Sequence, residues 1–278
     1  MPQKRKTIGL ALGGGFTRGL IHVGVIKALV KNNIPIDFMA GTSVGALVGA
    51  HYSVYENIEE LEEKAIKSKS HAFYSFLDPS FNGGIIKGKR LEKLLTDWIG
   101  KKNFSNTAIP LTVIATDINT GEEVDIVKGD LVSAIMASSA IPILYKPVKR
   151  DRKVLVDGGL SNPVPDNIVK KMGADIVISV CLDNYNYSKI YKGSKLNIIN
   201  VASRAFNIIW RNLSRSSMKN SDFIIEPKTD LVGFYSFKGY FMDKIDQKFI
   251  NLGQKEAEKI IPAIKKLLGI DTGKAIIN

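Results

Sequence analysis

Near its start the chain twice brings a short apolar run to a halt at glycines and then sets out on a helical pattern. Thr7 to Leu12 is apolar and stops at Gly13-Gly14-Gly15; Leu20 to Lys31 carries apolar residues at helical spacing through Val23, Ile26 and Val30. Pro35 to Ala40 then runs into Gly41-Thr42-Ser43-Val44-Gly45 and a small-residue helical stretch, Ala46 to Ala50. Strand, loop, helix, strand is the pattern of parallel strands joined by crossover helices, since parallel neighbours cannot be linked by a tight turn. Leu111 to Thr116 and Ile176 to Leu182 are further strand candidates, whereas Lys146 to Lys149 and Lys153 to Val156 flank a charged turn at Arg150 and Asp151 and predict a hairpin. A mixed α/β sheet results. Pro262, suited to a first helical turn, opens a predicted C-terminal helix over residues 262–268 that packs back on the core.

The chain has 278 residues, 45% of them hydrophobic and 24% charged, which suits one domain with a sizeable core, spanning residues 1–278. A single cysteine, Cys181, excludes an internal disulfide framework, and with three histidines it leaves little material for a structural zinc site. The expected setting is reducing and cytoplasmic. No stretch approaches the roughly 18 apolar residues of a membrane span, and Met1 to Phe16 reads as neither signal peptide nor anchor. The formal charge of +12 favours anionic partners. Much of the excess lies between Tyr185 and Ser221, where Lys189, Lys192, Lys195, Arg204, Arg211, Arg215 and Lys219 meet no acidic residue.

Gly41-Thr42-Ser43-Val44-Gly45 fits G-x-S-x-G between a strand and a helix, the context in which that motif presents a nucleophile. A sharp turn leaves no room for side chains beside the serine, and it lifts Oγ to a helix N-terminus, where negative charge is favoured. On spacing alone, tight packing of small residues explains the pattern equally well. The second constellation is Gly13-Gly14-Gly15-Phe16-Thr17-Arg18-Gly19. A dinucleotide loop starting at Gly13 requires glycine at 18 and finds Arg18; a phosphate-binding P-loop requires Lys followed by Ser or Thr and finds Leu20 and Ile21. Backbone N–H groups of this loop suit an oxyanion better, because acyl transfer from Ser43 needs donors from a neighbouring strand end.

A nucleophilic serine needs a base. His22 and His51 fall on helical stretches and His71 on a polar connector, and none takes the late position of an ordinary hydrolase triad. Asp157, in Val154-Leu155-Val156-Asp157-Gly158-Gly159, ends an apolar strand at a glycine turn much as Ser43 does. A free aspartate, with a pKa of about 3.9, is a weak base at neutral pH, but burial beside a serine raises it. Read on spacing alone, Asp-Gly-Gly favours a tight turn over a catalytic base.

Taken together, these motifs resemble the patatin-like phospholipase family, of the bacterial single-domain type. The resemblance covers about residues 7–182 and rests on the glycine loop ending in Arg18-Gly19, on Gly41 to Gly45, on Ser138-Ser139-Ala140-Ile141-Pro142, and on Asp157-Gly158-Gly159 followed by Asn162-Pro163-Val164-Pro165. It implies a three-layer α/β/α fold with a mainly parallel central sheet. It also implies a Ser-Asp dyad of Ser43 and Asp157, and an oxyanion hole from the amides around Gly14, Gly15 and Phe16. Gly41, Gly45, Gly158 and Gly159 then shape the turns, Pro142 stiffens a nearby loop, and Arg18 orients the glycine loop, meets a phosphate or forms a salt bridge fixing the loop. At position 16 the family pattern has glycine and this chain has Phe, a residue that does not freely adopt positive φ. The implied activity is hydrolysis of a phospholipid or lysophospholipid acyl ester without metal or organic cofactor. The alternative is a basic membrane-binding protein that keeps the fold with a weak or inactive site.

From Leu196 to Met218 a helical wheel puts Ile199, Ala202, Phe206, Ile209 and Leu213 on one side and Arg204, Arg211 and Arg215 on the other. Two readings follow: a surface helix packing its apolar side on the domain, or an interfacial helix that docks on an anionic membrane surface and makes the protein peripheral to it. Nucleic acid is disfavoured because no nucleic-acid-binding motif accompanies the charge.

Overall fold

In a computed structural model of the chain, the described residues are 5–67, 88–184, 197–229 and 245–270. The strands are β1 (Ile8–Leu12), β2 (Phe38–Thr42), β3 (Leu111–Asp117), β4 (Glu123–Ile126), β5 (Val148–Arg150), β6 (Lys153–Asp157), β7 (Ile176–Val180) and β8 (Phe223–Ile225). The helices are α1 (Leu20–Lys31), α2 (Val44–Tyr55), α3 (Ile58–Lys67), α4 (Lys89–Ile99), α5 (Leu131–Ser138), α6 (Asp166–Lys171), α7 (Ile198–Ser216), α8 (Ile245–Glu258) and α9 (Ile261–Leu268). His71 and Tyr185 to Leu196, with Lys189, Lys192 and Lys195, lie outside the described residues.

The strands form one sheet in the order β5-β6-β3-β2-β1-β7-β8, with β4 paired to β3. From β3 to β8 all neighbours are parallel; β4, β6 and β5 add antiparallel pairs. The parallel strands are covered on both faces, and successive residues point to opposite cores. Leu10, Leu12, Met39, Val113 and Ile178 join the larger core, with α1, α2, α5 and α8. Ala11, Ala40, Ile114 and Val177 face a smaller one completed by Ile168 and Val169 of α6 and by Met218. The result is three layers, thick on one face and thin on the other.

The hairpin forms as β5 and β6, but its turn sits one residue later than the sequence predicts. Arg150 pairs with Lys153, and Asp151 and Arg152 take the two positive-φ positions of the turn, φ 48° and 64°. Two residues of positive φ match the twist of the strands they join, which outweighs the modest cost for side chains there. The long helix α8, unmarked in the sequence, packs on α1. A Cβ on Gly24 would overlap the Ile250 carbonyl, and one on Gly253 the Ile21 carbonyl, so these two glycines bring the backbones together.

Candidate functional site

Three strand ends converge on the site. In the register of the sheet, Thr42 of β2 lies opposite Ile114 of β3, and Asp157 of β6 lies opposite Ala115, the next rung. β4 pairs with Val113–Thr116, a stretch overlapping both, so β2 and β6 share the other edge of β3 and meet end to end. Side chains pin both ends: Thr116 Oγ1 donates to the Asp157 carbonyl at 2.9 Å, and Thr42 Oγ1 to the Asn162 carbonyl at 2.8 Å.

Ser43 follows β2 with φ 54° and ψ −120° and caps the start of α2. A non-glycine residue with such φ costs on the order of 1–3 kcal/mol and persists only where its surroundings enforce it. Here the enforcement is steric. A Cβ on Gly45 would overlap the Leu12 carbonyl, and one on Gly41 would press on the Gly45 carbonyl, so the turn closes only with glycine on either side. The Ser43 N–H donates to Ser138 Oγ at 2.8 Å.

Asp157 is fully buried. Oδ1 accepts the Gly159 N–H at 2.8 Å, while Oδ2 is buried without a hydrogen bond of good geometry. Burial pushes the carboxyl up to about 7, against the Gly159 amide and the neighbouring Ser43 hydroxyl, both of which favour the ionised form. Gly158 is required because a Cβ there would overlap the Ile114 carbonyl.

The glycine loop leaves β1 beside both. The Gly14 N–H does not face the site: it donates to the Pro163 carbonyl at 3.0 Å. Its expected place among the oxyanion donors is therefore taken by a structural bond, which ties the loop to the segment after Asp157. The Gly15 N–H, in contrast, finds no acceptor among the described residues and is buried. Phe16 takes φ 58°, the left-handed conformation that glycine would adopt more cheaply. Arg18 is buried and does not point outward to a phosphate. Its Nε donates to the Gly15 carbonyl at 3.0 Å, Nη1 to the Leu182 carbonyl, and Nη2 lies 3.3 Å from Asp183 Oδ1. It fixes the loop. Among the described residues no three His, Cys, Asp or Glu side chains gather as metal ligands would, and no helix is long and apolar enough to cross a membrane.

The family model of patatin-like phospholipases matches residues 10–168, which spans the glycine loop, Ser43 and Asp157. The chain belongs to that family. A protein named as an uncharacterised NTE family protein of Mycobacterium tuberculosis is 34% identical over 177 residues, 63% of this chain and 49% of that protein. The neuropathy target esterase sws of Drosophila melanogaster is 30% identical over 180 residues, 63% of this chain and 13% of the relative. The chain thus spans about half the length, or less, of these curated relatives. Among solved structures, VipD from Legionella pneumophila superposes with a TM-score of 0.53 at 12% identity, covering 93% of this chain and 67% of that one, a likeness of fold.

In this patatin-like chain the two described histidines stand aside. His22 is buried with Nε2 2.7 Å from the Gly13 carbonyl, and burial lowers it to about 4. The neutral ring therefore carries its proton on Nε2 and braces the loop. His51, also lowered to about 4 by burial, packs tilted against Tyr55 and edge-on to Trp98 two helical turns from Ser43, about 12 Å along α2. Sequence reasoning missed Ser138 and Ala140. Ser138 Oγ accepts from the Ser43 N–H and the Ala140 carbonyl accepts from the Asp157 N–H at 3.0 Å, so one segment holds both residues. The signal was the Ser138-to-Pro142 motif, from which only Pro142 was singled out; Pro142 lies in the turn that follows.

The amphipathic helix also differs from expectation. Ala202, Phe206 and Ile209 face outward, Ile209 at 66% exposure, while Arg204 and Arg211 are half-buried; Leu213 and Arg215 lie as the wheel predicts, and the Ile199 side chain is outside the description. The reason is a buried carboxylate. Asp183 Oδ2 accepts from Trp210 Nε1 at 3.0 Å and from Ser214 Oγ at 2.6 Å, and leaving it without donors would cost more than exposing a few apolar side chains.

Proposed function

We propose that the protein is a serine hydrolase of lipid acyl esters, acting on phospholipid or lysophospholipid, with Ser43 as nucleophile and Asp157 as base. One observation carries the reading: a fully buried carboxyl pushed up to about 7 stands beside a serine held at φ 54° on a strand-to-helix turn. A carboxylate with that affinity takes a hydroxyl proton far more readily than a free aspartate.

Ser43 Oγ attacks the ester carbonyl carbon, and its proton passes to Asp157. The carbonyl electron pair moves to oxygen, where the Gly15 N–H and the first turn of α2 favour negative charge. Collapse breaks the bond to the alcohol, which leaves with the proton from Asp157. Water then attacks acyl-Ser43, gives its proton to Asp157, and releases the fatty acid as Ser43 recovers its hydrogen. The name of the Drosophila relative, an esterase, agrees with this chemistry.

The same reading places the protein peripherally on anionic membranes. Ile198, Val201, Phe206, Ile208 and Ile209 are exposed along α7, with Arg215 and Lys219 exposed at its far end, the combination an interfacial helix uses. A fluorophosphonate probe tests the catalytic reading. It should label Ser43 in the wild type and not in Ser43→Ala, and Ser43→Ala and Asp157→Asn should each lower ester turnover by at least about a thousandfold, with the double variant no worse. Near-wild-type turnover in either folded variant would refute the pair. A lipid panel with mass analysis of products then identifies the ester cleaved.

A further inference from the structure

We propose that Trp210 is the gate of the Ser43 site and sets the size of acyl group it admits, and that Asp183 is the latch tying this gate to the glycine loop. The proposal rests on the reading of Ser43 and Asp157 as an ester-hydrolysing pair.

The indole lies where a substrate would have to enter. A Cβ built on Gly14 stands 3.3 Å from Trp210 Cζ2 and 3.7 Å from Ser43 Cβ. One built on Gly159 would overlap Cζ2 and Cη2 of the same ring. Gly14 belongs to the glycine loop and Gly159 donates to Asp157, so the six-membered edge of Trp210 is wedged between the two loops that frame the dyad. Ser43 is only 7% exposed under it. An ester carbonyl reaching both Ser43 Oγ and the Gly15 N–H meets this ring edge, which has no polar atom and so offers a wall to an acyl chain rather than to a head group.

The polar edge of the same indole is tied down. Asp183, buried at 1% exposure, takes Trp210 Nε1 and Ser214 Oγ on Oδ2, while Oδ1 faces Arg18, whose Nε holds the Gly15 carbonyl. One carboxylate thus connects the gate, through Arg18, to Gly15, whose buried N–H finds no acceptor among the described residues. Trp210 and Ser214 are four apart on α7, so both leave Asp183 together if the helix swings, and Arg18 stays behind to neutralise it. The outward apolar side chains of α7 give a lipid surface the means to draw the helix away.

The test compares wild type, Trp210→Ala, Trp210→Phe and Asp183→Asn on nitrophenyl butyrate and dodecanoate, with rates of labelling by a fluorophosphonate and thermal melts to confirm folding. Trp210→Ala should raise the dodecanoate-to-butyrate ratio of kcat/KM by about tenfold and speed labelling. Trp210→Phe keeps a ring but loses the latch donor, so it should speed labelling while shifting the ratio much less. Asp183→Asn keeps an oxygen to accept from Trp210 and Ser214 but loses the charge facing Arg18, so it leaves the gate closed and loosens the glycine loop; it should lower kcat on both esters alike with little change in KM and leave the chain-length ratio unchanged. Unchanged labelling and chain-length ratio in folded Trp210→Ala would overturn the gate. If that variant does not fold, unchanged labelling in Trp210→Phe would do so. Faster labelling of the Trp210 variants than of the wild type would support the gate; labelling in none of the folded proteins would overturn the hydrolase reading, and this proposal with it.

Discussion

In the proposed mechanism Asp157 ties stability and catalysis together with opposite signs. Its carboxyl rises from 3.8 to about 7 on folding, chiefly through burial. Between those values the folded chain keeps a proton that the unfolded chain has released, so stability falls as pH rises through this window and levels off above it. At about 1.4 kcal/mol per pKa unit the full cost of ionising Asp157 is about 4 kcal/mol. Asp157→Asn removes the titrating group and hence the slope. Its stability relative to wild type should therefore grow by about 3 kcal/mol between about pH 5 and pH 8, and any constant contribution from altered hydrogen bonds cancels in that difference. Urea unfolding of both proteins at the two pH values, with equal m-values, measures it. Ester turnover should move the other way, rising through an apparent pKa of about 7 as the base ionises. A stability difference that stays constant across the range would show that Asp157 ionises as an ordinary aspartate, and the argument for it as base would fall.

Gly45→Ala should destabilise the protein by about 1–3 kcal/mol or more, because the added methyl meets the Leu12 backbone rather than a side chain that could yield; chemical denaturation checks it. Phe16→Gly relieves a left-handed φ of 58° and should recover about 1 kcal/mol of strain, less whatever its half-buried ring contributes, while altering acyl-chain preference; unaltered preference would place Phe16 away from the site. Binding to anionic vesicles should weaken with salt as the screening length falls from about 10 Å at 0.1 M to about 3 Å at 1 M. Ile209→Ser should lower that binding by about tenfold, since a buried Ile contributes roughly 1.5–3 kcal/mol, and equal binding by wild type and variant in co-sedimentation would remove α7 from the interface.

The strands that carry the site, β1, β2 and β6, were legible because their apolar runs stop at or just before glycine turns, and β3 and β7 because their apolar runs stand out; the observed strands start or end within a few residues of those runs. Asp157 and Ser43 stood out for the same reason. What the sequence hid is long-range. Nothing local reveals that the Gly14 amide turns to Pro163, since both nucleotide-loop and oxyanion patterns assume outward amides. The rotation of α7 escaped the wheel because Trp210 and Ser214 answer to Asp183, a residue distant in sequence and unremarkable in composition. Likewise β4 and β8, at four and three residues, are too short to establish a period, and α8 is recognisable only through its glycine contact with α1.

The meeting of β2 and β6 on neighbouring rungs of β3 means that the spacing of Ser43 and Asp157 is set by a hydrogen-bond ladder and not by the chain between them. Loops joining those strands are free to lengthen, shorten or accept an inserted domain without moving either residue relative to the other. Surface connections such as the turn at Gly121, where a Cβ would meet nothing within 4 Å, are then natural places to graft a reporter into an otherwise unchanged fold.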